Sequence, residues 1–165
     1  LQEQPVALYR QDALQHLLID PVDGVICDLP VGYYPDTEYA ENFEIHKEDG
    51  MTYAHHLLIE QSMNHTKDGG YLFFLVPNNL FESEQAPLLY SYVQKHAWIQ
   101  AVVQLPENLF KQKEMGKSLF ILQKKKEGEQ AVKDVLLAKV PRLDNIQALE
   151  TFFARVQNWK KEEKK

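Results

Sequence analysis

The feature of this sequence that most limits its fold is a run of six apolar and aromatic residues at positions 71–76, which follows Gly69-Gly70 and ends at Pro77. A strand without alternation of polar and apolar side chains is typical of a parallel sheet that is covered on both faces. Less uniform apolar segments, each typical of a strand, lie at 6–9, 23–28, 98–105, 118–123 and 135–140. Stretches with helical periodicity lie at 51–66, 83–96 and 146–159. The alternation of predicted strands and helices along the chain predicts an α/β fold with a mostly parallel sheet.

The predicted helices carry end signals. Asp68-Gly69-Gly70 is expected to end the first helix. Ser83 is a candidate N-cap for the second, with Pro87 in its first turn. Asp144 or Asn145 can cap the third helix.

The composition predicts one globular domain. The chain has 165 residues, of which 44% are hydrophobic, enough for a sizeable core. Residues 1–125 are expected to form the core of that domain, and residues 126–165 to add a strand and a helix. We expect neither a membrane span nor a secretion leader. Because the sequence starts at Leu1, we expect a piece of a longer protein. The one cysteine, Cys27, cannot form an intrachain disulfide and is expected to be a small buried hydrophobe. A cytoplasmic protein fits this cysteine content best.

Charge is distributed unevenly along the chain. The formal net charge is -6, and residues 1–100 hold 4 of the 18 basic side chains but 15 of the 24 acidic ones. The first part therefore repels a polyanion, whereas residues 101–165 carry an excess of lysine and arginine. These basic residues either serve solubility and helix ends or form a nucleic-acid footprint. The acidic total argues against tight DNA binding by this chain alone.

The candidate site follows from the sheet, because parallel sheets bind ligands at the carboxyl ends of their strands. The residues after the predicted strands are Asp12 and those at 28–34, 77–80 and 106–110. The most informative segment is Asp28-Leu29-Pro30-Val31-Gly32-Tyr33-Tyr34, where a proline-stiffened loop follows a strand-end carboxylate. Such a loop can present Asp28 to a crevice, provided that Asp28 faces open space and is not tied up in an internal salt bridge. An ordinary proline turn is the alternative interpretation.

This segment resembles the Asp/Asn-Pro-Pro-aromatic motif of amino-methyltransferases. In that motif a side-chain oxygen and a main-chain carbonyl accept hydrogen bonds from an exocyclic amine, and the aromatic ring stacks on the base. The resemblance implies that Asp28 and the Leu29 carbonyl are the acceptors and that Pro30 stiffens the loop. Leu29 replaces the first proline of the motif and Val31 replaces its aromatic residue. Tyr33 and Tyr34 are therefore the candidates for the stacking ring.

Four further segments resemble a whole family. They are Arg10-Gln11-Asp12-Ala13-Leu14 and residues 67–78, 101–110 and 118–122. In this order and spacing they are similar to bacterial adenine-specific N6 DNA methyltransferases, including the modification subunits of type I restriction systems. The resemblance implies a Rossmann-like class I S-adenosylmethionine methyltransferase sheet with one antiparallel strand at 118–122. It also implies S-adenosylmethionine as the cofactor, bound by Asp12, Ala13 and Asp28, and adenine in DNA as the substrate.

The family places a glycine-rich cofactor turn and an acidic ribose contact before the position of Asp12, and this sequence contains neither. We therefore expect a sheet truncated on its N-terminal side. Its unpaired edge either displaces residues 6–9 or pairs with another chain, as in a homodimer. The fragment is expected to bind cofactor weakly or not at all and to be inactive alone.

Two other functions stay open at this stage. Methyl transfer to RNA or to a protein glutamine involves a similar planar amine, so the motif fits those substrates too. A non-catalytic binding or assembly module is the alternative from another class.

Three sets of side chains also allow two interpretations. The loop aromatics form either a base-stacking platform or an apolar lid, and they are Tyr33, Tyr34, Tyr39 and Phe43. The loop lysines either contact phosphate or are solvated, and they are Lys111, Lys113 and Lys117. His55 and His56 lack matching carboxylate or cysteine partners for a metal, so we expect solvated helix residues.

Overall fold

A computed structural model of the chain describes residues 5–128, 130–131 and 133–162. Its strands are β1 (Val22–Asp28), β2 (Thr66–Pro77), β3 (Ala97–Gln104), β4 (Lys117–Lys124) and β5 (Leu136–Lys139). Its helices are α1 (Thr37–Ala40), α2 (Ala54–Asn64), α3 (Ala86–His96) and α4 (Ile146–Glu162), with short 3-10 helices at Glu107–Leu109 and Lys113–Met115.

The strands form a five-stranded sheet in the order β1-β2-β4-β3-β5. β1 runs parallel to β2 and β5 runs parallel to β3, whereas β4 lies antiparallel between β2 and β3. All strands except β4 therefore share one direction. The predicted mostly parallel sheet is confirmed, and its antiparallel strand is the one expected at 118–122.

β2 lies near the middle of the structure, as its unbroken apolar sequence predicts. Leu72 and Phe74 are fully buried, together with Phe120 of β4, in a core closed by α2 and α3. Burying side chains of this size contributes roughly 1.5–3 kcal/mol each. Tyr71 and Phe73 lie on the opposite face, as the two-residue period of a strand requires. On that face, side chains of the sheet and of α4 line an apolar groove of about 1080 Å³, and no residue of α4 is buried.

The prediction of a strand at residues 6–9 is wrong. Residues 5–21 contain no helix or strand, and Val6 and Leu8 are 75% and 90% exposed. A strand needs a neighbour to receive its hydrogen bonds, and β1 occupies the end of the sheet with β2 as its one partner among the described residues. Apolar residues without a ladder beside them therefore remain irregular.

The boundary between α2 and β2 differs from the prediction. The helix ends at Asn64 and β2 already begins at Thr66, so Gly69-Gly70 falls inside a strand. Gly69 has φ +80, a conformation that favours glycine. A Cβ on Gly70 would lie 2.6 Å from the Thr66 Cγ2 atom and 2.8 Å from the Asp23 carbonyl oxygen. The two glycines allow close backbone approach, not helix termination.

The helix starts are partly as predicted. α3 begins at Ala86 with Gln85 at its N-cap and Pro87 in its first turn, so Ser83 is not the cap. The Asn145 side chain does cap α4, accepting a hydrogen bond from the Ala148 N–H at 3.0 Å. No helix in the described part of the chain is long and apolar enough to cross a membrane.

Candidate functional site

The carboxyl ends of the strands form a rim at one edge of the sheet. β1 ends there at Asp28 and β2 at Pro77, and β4 starts there at Lys117, since it runs in the opposite direction. β3 and β5 end at the same rim with Gln104 and Lys139. The predicted site residues at 28–34, 77–80 and 106–110 are thus brought to one edge.

Asp28 is open to solvent, but it is not without a partner. It is the last residue of β1, paired in register with Leu75, and its side chain is 61% exposed. Its Oδ1 atom accepts a hydrogen bond from the Lys117 ammonium group and forms an ion pair with it. The role predicted for Asp28 requires that it not be tied up in an internal salt bridge. The ion pair is partly exposed rather than internal, because the side chain of Asp28 is 61% exposed and that of Lys117 is 27% exposed.

Leu29 and Pro30 continue the chain as an anchored turn. The Leu29 side chain is 1% exposed, and its N–H donates to the Leu75 carbonyl at 3.1 Å. Within the described residues no hydrogen bond reaches the Leu29 carbonyl oxygen. Pro30 is exposed, and Val31, at the aromatic position of the motif, is 63% exposed.

Tyr33 presents a ring at the surface. It is 51% exposed and stacks on Tyr53, with ring centroids 4.8 Å apart and planes inclined by 22°. An antiparallel bridge joins the backbones of the two tyrosines. The residue that follows Tyr33 is held as well, because the Tyr34 N–H donates to the Thr52 carbonyl at 2.8 Å. Tyr33 therefore has one braced ring face.

Tyr34 takes the opposite role to its neighbour. It is 7% exposed and packs in a small cluster with Leu14, Phe43 and Leu57. Burial raises the pKa of its hydroxyl group. Tyr34 and Phe43 are thus buried in one apolar cluster, whereas the Tyr33 ring is exposed.

The Tyr34 hydroxyl also contacts the segment predicted to bind cofactor. It donates to Asp12 Oδ2 at 3.2 Å, while Gln15 Nε2 donates to the Tyr34 oxygen at 3.0 Å. The other carboxylate oxygen of Asp12 accepts from the Leu14 N–H at 2.9 Å. Asp12 and Tyr34, 22 positions apart, are thus brought together.

The backbone around Asp12 is fixed by one buried amide. Gln61 of α2 donates to the Ala13 carbonyl at 3.1 Å and to the Gln15 carbonyl at 2.8 Å. No hydrogen bond or ion pair among the described residues joins Asp12 to Asp28. Sequence reasoning missed Gln61, because a polar residue on a helix carries no signal of what it faces.

His55 and His56 are not solvated, contrary to expectation. They are 4% and 0% exposed at the start of α2, and Tyr53 lies 5.0 Å and 5.3 Å from their ring centroids. Burial lowers the pKa of His55 to about 4 and that of His56 to about 3. Both rings are therefore neutral near pH 7. The His55 ring is tilted by 31° against Tyr53, and the His56 ring meets Tyr53 edge-on at 68°.

Comparison with known proteins identifies the family that shares this architecture. The chain matches the family model for N-6 DNA methylase over residues 9–159. It is 48% identical over 164 residues to “Uncharacterized protein YtxK” of Bacillus subtilis (strain 168), an alignment that takes in 99% of this chain and 50% of YtxK.

Solved structures show the same fold. The Listeria monocytogenes protein lmo1582, provisionally assigned as a class I S-adenosylmethionine-dependent methyltransferase, matches with a TM-score of 0.84 and 44% identity over 90% of this chain and 46% of that one. The type I restriction-modification methyltransferase subunit from Streptococcus thermophilus matches with a TM-score of 0.59 over 90% of this chain and 35% of that one. At 13% identity the latter likeness concerns the fold alone.

The mostly parallel sheet with its single reversed strand is that of the class I S-adenosylmethionine-dependent methyltransferases. Within that class, the chain belongs to the N-6 DNA methylase family. It spans about half the length of YtxK and of lmo1582.

Proposed function

We propose that the protein of which this chain is part transfers a methyl group from S-adenosylmethionine to the N6 amine of adenine in DNA. The observation that carries the proposal is the place of Asp28: it ends β1 at the rim with its side chain 61% exposed, in a chain that matches the N-6 DNA methylase family. A DNA substrate of this kind is consistent with a cytoplasmic protein.

Asp28 and the Leu29 carbonyl form the proposed acceptor pair. One Asp28 oxygen bonds Lys117, which leaves the second oxygen for an N–H of the target amine. The burial of the Leu29 side chain and its N–H bond to Leu75 fix the main chain beside it. Two fixed acceptors favour the positive, pyramidal nitrogen that develops as the amine attacks.

Tyr33 is the proposed stacking residue, in place of Val31. Its ring is exposed while Tyr53 braces one of its faces at 4.8 Å. A planar base can stack on a ring held in this way with little loss of side-chain freedom, and such stacking is worth roughly 1–3 kcal/mol. Tyr34 is buried and linked to Asp12, so we assign it a supporting role instead.

Asp12 and Ala13 are the proposed cofactor contacts. Each Asp12 oxygen already accepts one hydrogen bond, but a carboxylate oxygen offers two lone-pair sites, so an adenine amine can still be accepted. S-adenosylmethionine would supply the sulfonium-activated methyl group. Because residues 5–21 are anchored mainly by side chains such as Tyr34 and Gln61, we propose that this chain alone binds the cofactor weakly and is inactive.

β1 also provides a proposed contact for another chain. The strand has β2 on one side and, within the described residues, no strand on the other. Unpaired strand edges readily accept a further strand, so we propose that the isolated chain self-associates through β1.

A second candidate function is a non-catalytic binding or assembly module. Val31 at the aromatic position and the net charge of -6 favour it, since a valine offers no ring for stacking and an acidic chain repels DNA. In that case the protein keeps the fold and its partners but transfers no methyl group.

The test uses the full-length protein with methyl-labelled S-adenosylmethionine and unmethylated DNA, with RNA and a glutamine-containing protein substrate in parallel. We expect label in DNA and its loss in Asp28→Ala. The matched control is Asp23→Ala, because Asp23 lies near the opposite end of β1 and pairs with Lys67 at 2.8 Å, away from the rim. Label confined to RNA or protein would change the substrate, and no label anywhere would favour the non-catalytic module.

A further inference from the structure

We propose that Lys117 is a positioning residue that holds the Asp28 carboxylate in the orientation needed to accept the target amine. The inference rests on the proposed function and adds a residue to it that the motif does not contain. It is carried by the Lys117–Asp28 ion pair at the rim and by the way in which Lys117 is itself held.

The main chain of Lys117 is fixed on both sides. It is the first residue of β4 and is paired in register with Pro77 of β2. On the other side, its carbonyl accepts from the Leu105 N–H at 3.0 Å. A residue bonded between two strands is a firm base for a long side chain.

The two residues adjacent to Lys117, Gly116 and Ser118, are both hydrogen-bonded to Asn78. The Asn78 N–H donates to the Gly116 carbonyl at 3.0 Å, and the Ser118 hydroxyl donates to Asn78 Oδ1 at 2.7 Å. Gly116 makes room for this arrangement, because a Cβ there would lie 2.4 Å from Asn78 Nδ2. Asn78 thus clasps the chain immediately before and after Lys117.

Asp28 is the less constrained partner. β1 is bonded to one strand among the described residues, and the Asp28 side chain is 61% exposed against 27% for Lys117. Lys117 is the one hydrogen-bond donor that the described residues offer to the Asp28 carboxylate. Without it the Asp28 side chain would be free to change its χ1 rotamer and to turn its carboxylate group.

The ion pair leaves the acceptor function intact. Lys117 bonds Oδ1, and the second oxygen stays available to the amine. The lysine therefore orients the carboxylate without competing for the same atom. A role in orientation predicts that a longer, equally charged arginine can partly replace lysine, whereas an uncharged side chain of similar length cannot.

The experiment compares Lys117→Met and Lys117→Arg in the full-length protein, with Lys139→Met as the control. Lys139 also lies at the rim, as the last residue of β5, and forms an ion pair with Glu107 at 3.1 Å. We expect Lys117→Met to lower kcat by at least ~10-fold with little change in KM for DNA, since small misplacements of catalytic groups are costly. Lys117→Arg should recover part of kcat, and Lys139→Met should leave it unchanged.

A second readout follows the ion pair without requiring turnover. The 15N resonance of the Lys117 ammonium group is expected in the wild type, lost in Asp28→Asn, and still present after an adenine-containing oligonucleotide is added. Release of the ammonium by the oligonucleotide, or a Lys117→Met variant as active as the wild type or more so, would show that Lys117 competes with the substrate and would overturn the proposal. A wild type that methylates nothing would instead refute the proposed function, and the role of Lys117 with it.

Discussion

Two segments of this molecule lead to a carboxylate in the candidate site, and only one of them is a strand. β1 ends at Asp28 and is held to β2 by a parallel ladder. Residues 5–14, which lead to Asp12, are irregular although residues 6–9 are as apolar as many strands. The difference lies in the neighbours: β1 has β2 to receive its hydrogen bonds, and residues 6–9 have no partner in the described chain.

The two segments also differ in what holds their carboxylates. Asp28 inherits its position from a sheet whose inner residues are fully buried. Asp12 depends on a few side-chain bonds, from Tyr34 to its carboxylate and from Gln61 to the carbonyls that follow it. A ladder orders many residues cooperatively, whereas single side-chain bonds add only about 1 kcal/mol each.

The largest expected effect tests this contrast directly. Phe74→Ala removes a fully buried ring in β2 and should lower the free energy of unfolding by about 3–5 kcal/mol. Leu8→Ala changes a side chain that is 90% exposed and should alter it by less than about 0.5 kcal/mol. Urea unfolding of the 165-residue chain measures both. Equal losses would mean that residues 5–14 are packed as firmly as the sheet.

Acid should destabilise the chain through its packed region rather than through the irregular segment, because the two buried histidines lie at the start of α2. The pKa of His55 is lowered to about 4 and that of His56 to about 3, below the value of roughly 6.5 in an unfolded chain. Stability from these groups is complete above about pH 6.5 and is lost as pH falls toward 4, because the unfolded state binds protons first. At pH 5 the loss should be roughly 1–2 kcal/mol for each histidine.

The acid effect is assigned to the buried pair at the start of α2. His56→Phe should therefore reduce the pH dependence of the free energy of unfolding, because the variant lacks a ring that is buried and neutral in the fold. Urea unfolding between pH 5 and pH 7 is the measurement. An unchanged slope in His56→Phe would contradict the assignment of the acid sensitivity to the start of α2.

A smaller effect is expected where the rim is clasped. Gly116→Ala places a Cβ 2.4 Å from Asn78 Nδ2, so the Asn78 side chain must move and its bond with Ser118 must weaken. We expect a loss of about 1–3 kcal/mol, typical of an overpacked site. Gly128→Ala is the comparison for space, because nothing lies within 4 Å of a Cβ there, although its φ of +81 carries a backbone cost of its own. A loss in Gly116→Ala no larger than in Gly128→Ala would contradict the clasp.

The smallest expected effect concerns the link between the two segments. Tyr34→Phe removes the bonds to Asp12 and Gln15 but keeps the buried ring. The free energy of unfolding should fall by about 1 kcal/mol or less, since water can replace the lost partner of an exposed carboxylate. Amide hydrogen exchange should rise at residues 12–15 and stay constant in β2. Unchanged exchange at residues 12–15 would mean that Tyr34 does not hold Asp12.

The sequence alone predicts the sheet better than the site. The unbroken apolar run identifies β2 and indicates a mostly parallel sheet, whereas the reversed direction of β4 followed only from the family resemblance. The pattern could not show that residues 6–9 lack a partner, since pairing depends on a neighbour rather than on the segment itself. The motif at Asp28 was visible from its order, but the ion pair with Lys117 joins residues 89 positions apart and leaves no local signal. The burial of His55 and His56 was missed for the same reason.

The most direct test of the central claim is nucleoside analysis of DNA after incubation with the full-length protein and S-adenosylmethionine. If the rim at Asp28 holds the target amine, the wild type and Asp23→Ala produce N6-methyladenine and Asp28→Ala produces at least ~100-fold less. A methyl group on a different nucleoside, or the same yield of N6-methyladenine from Asp28→Ala, would contradict the account.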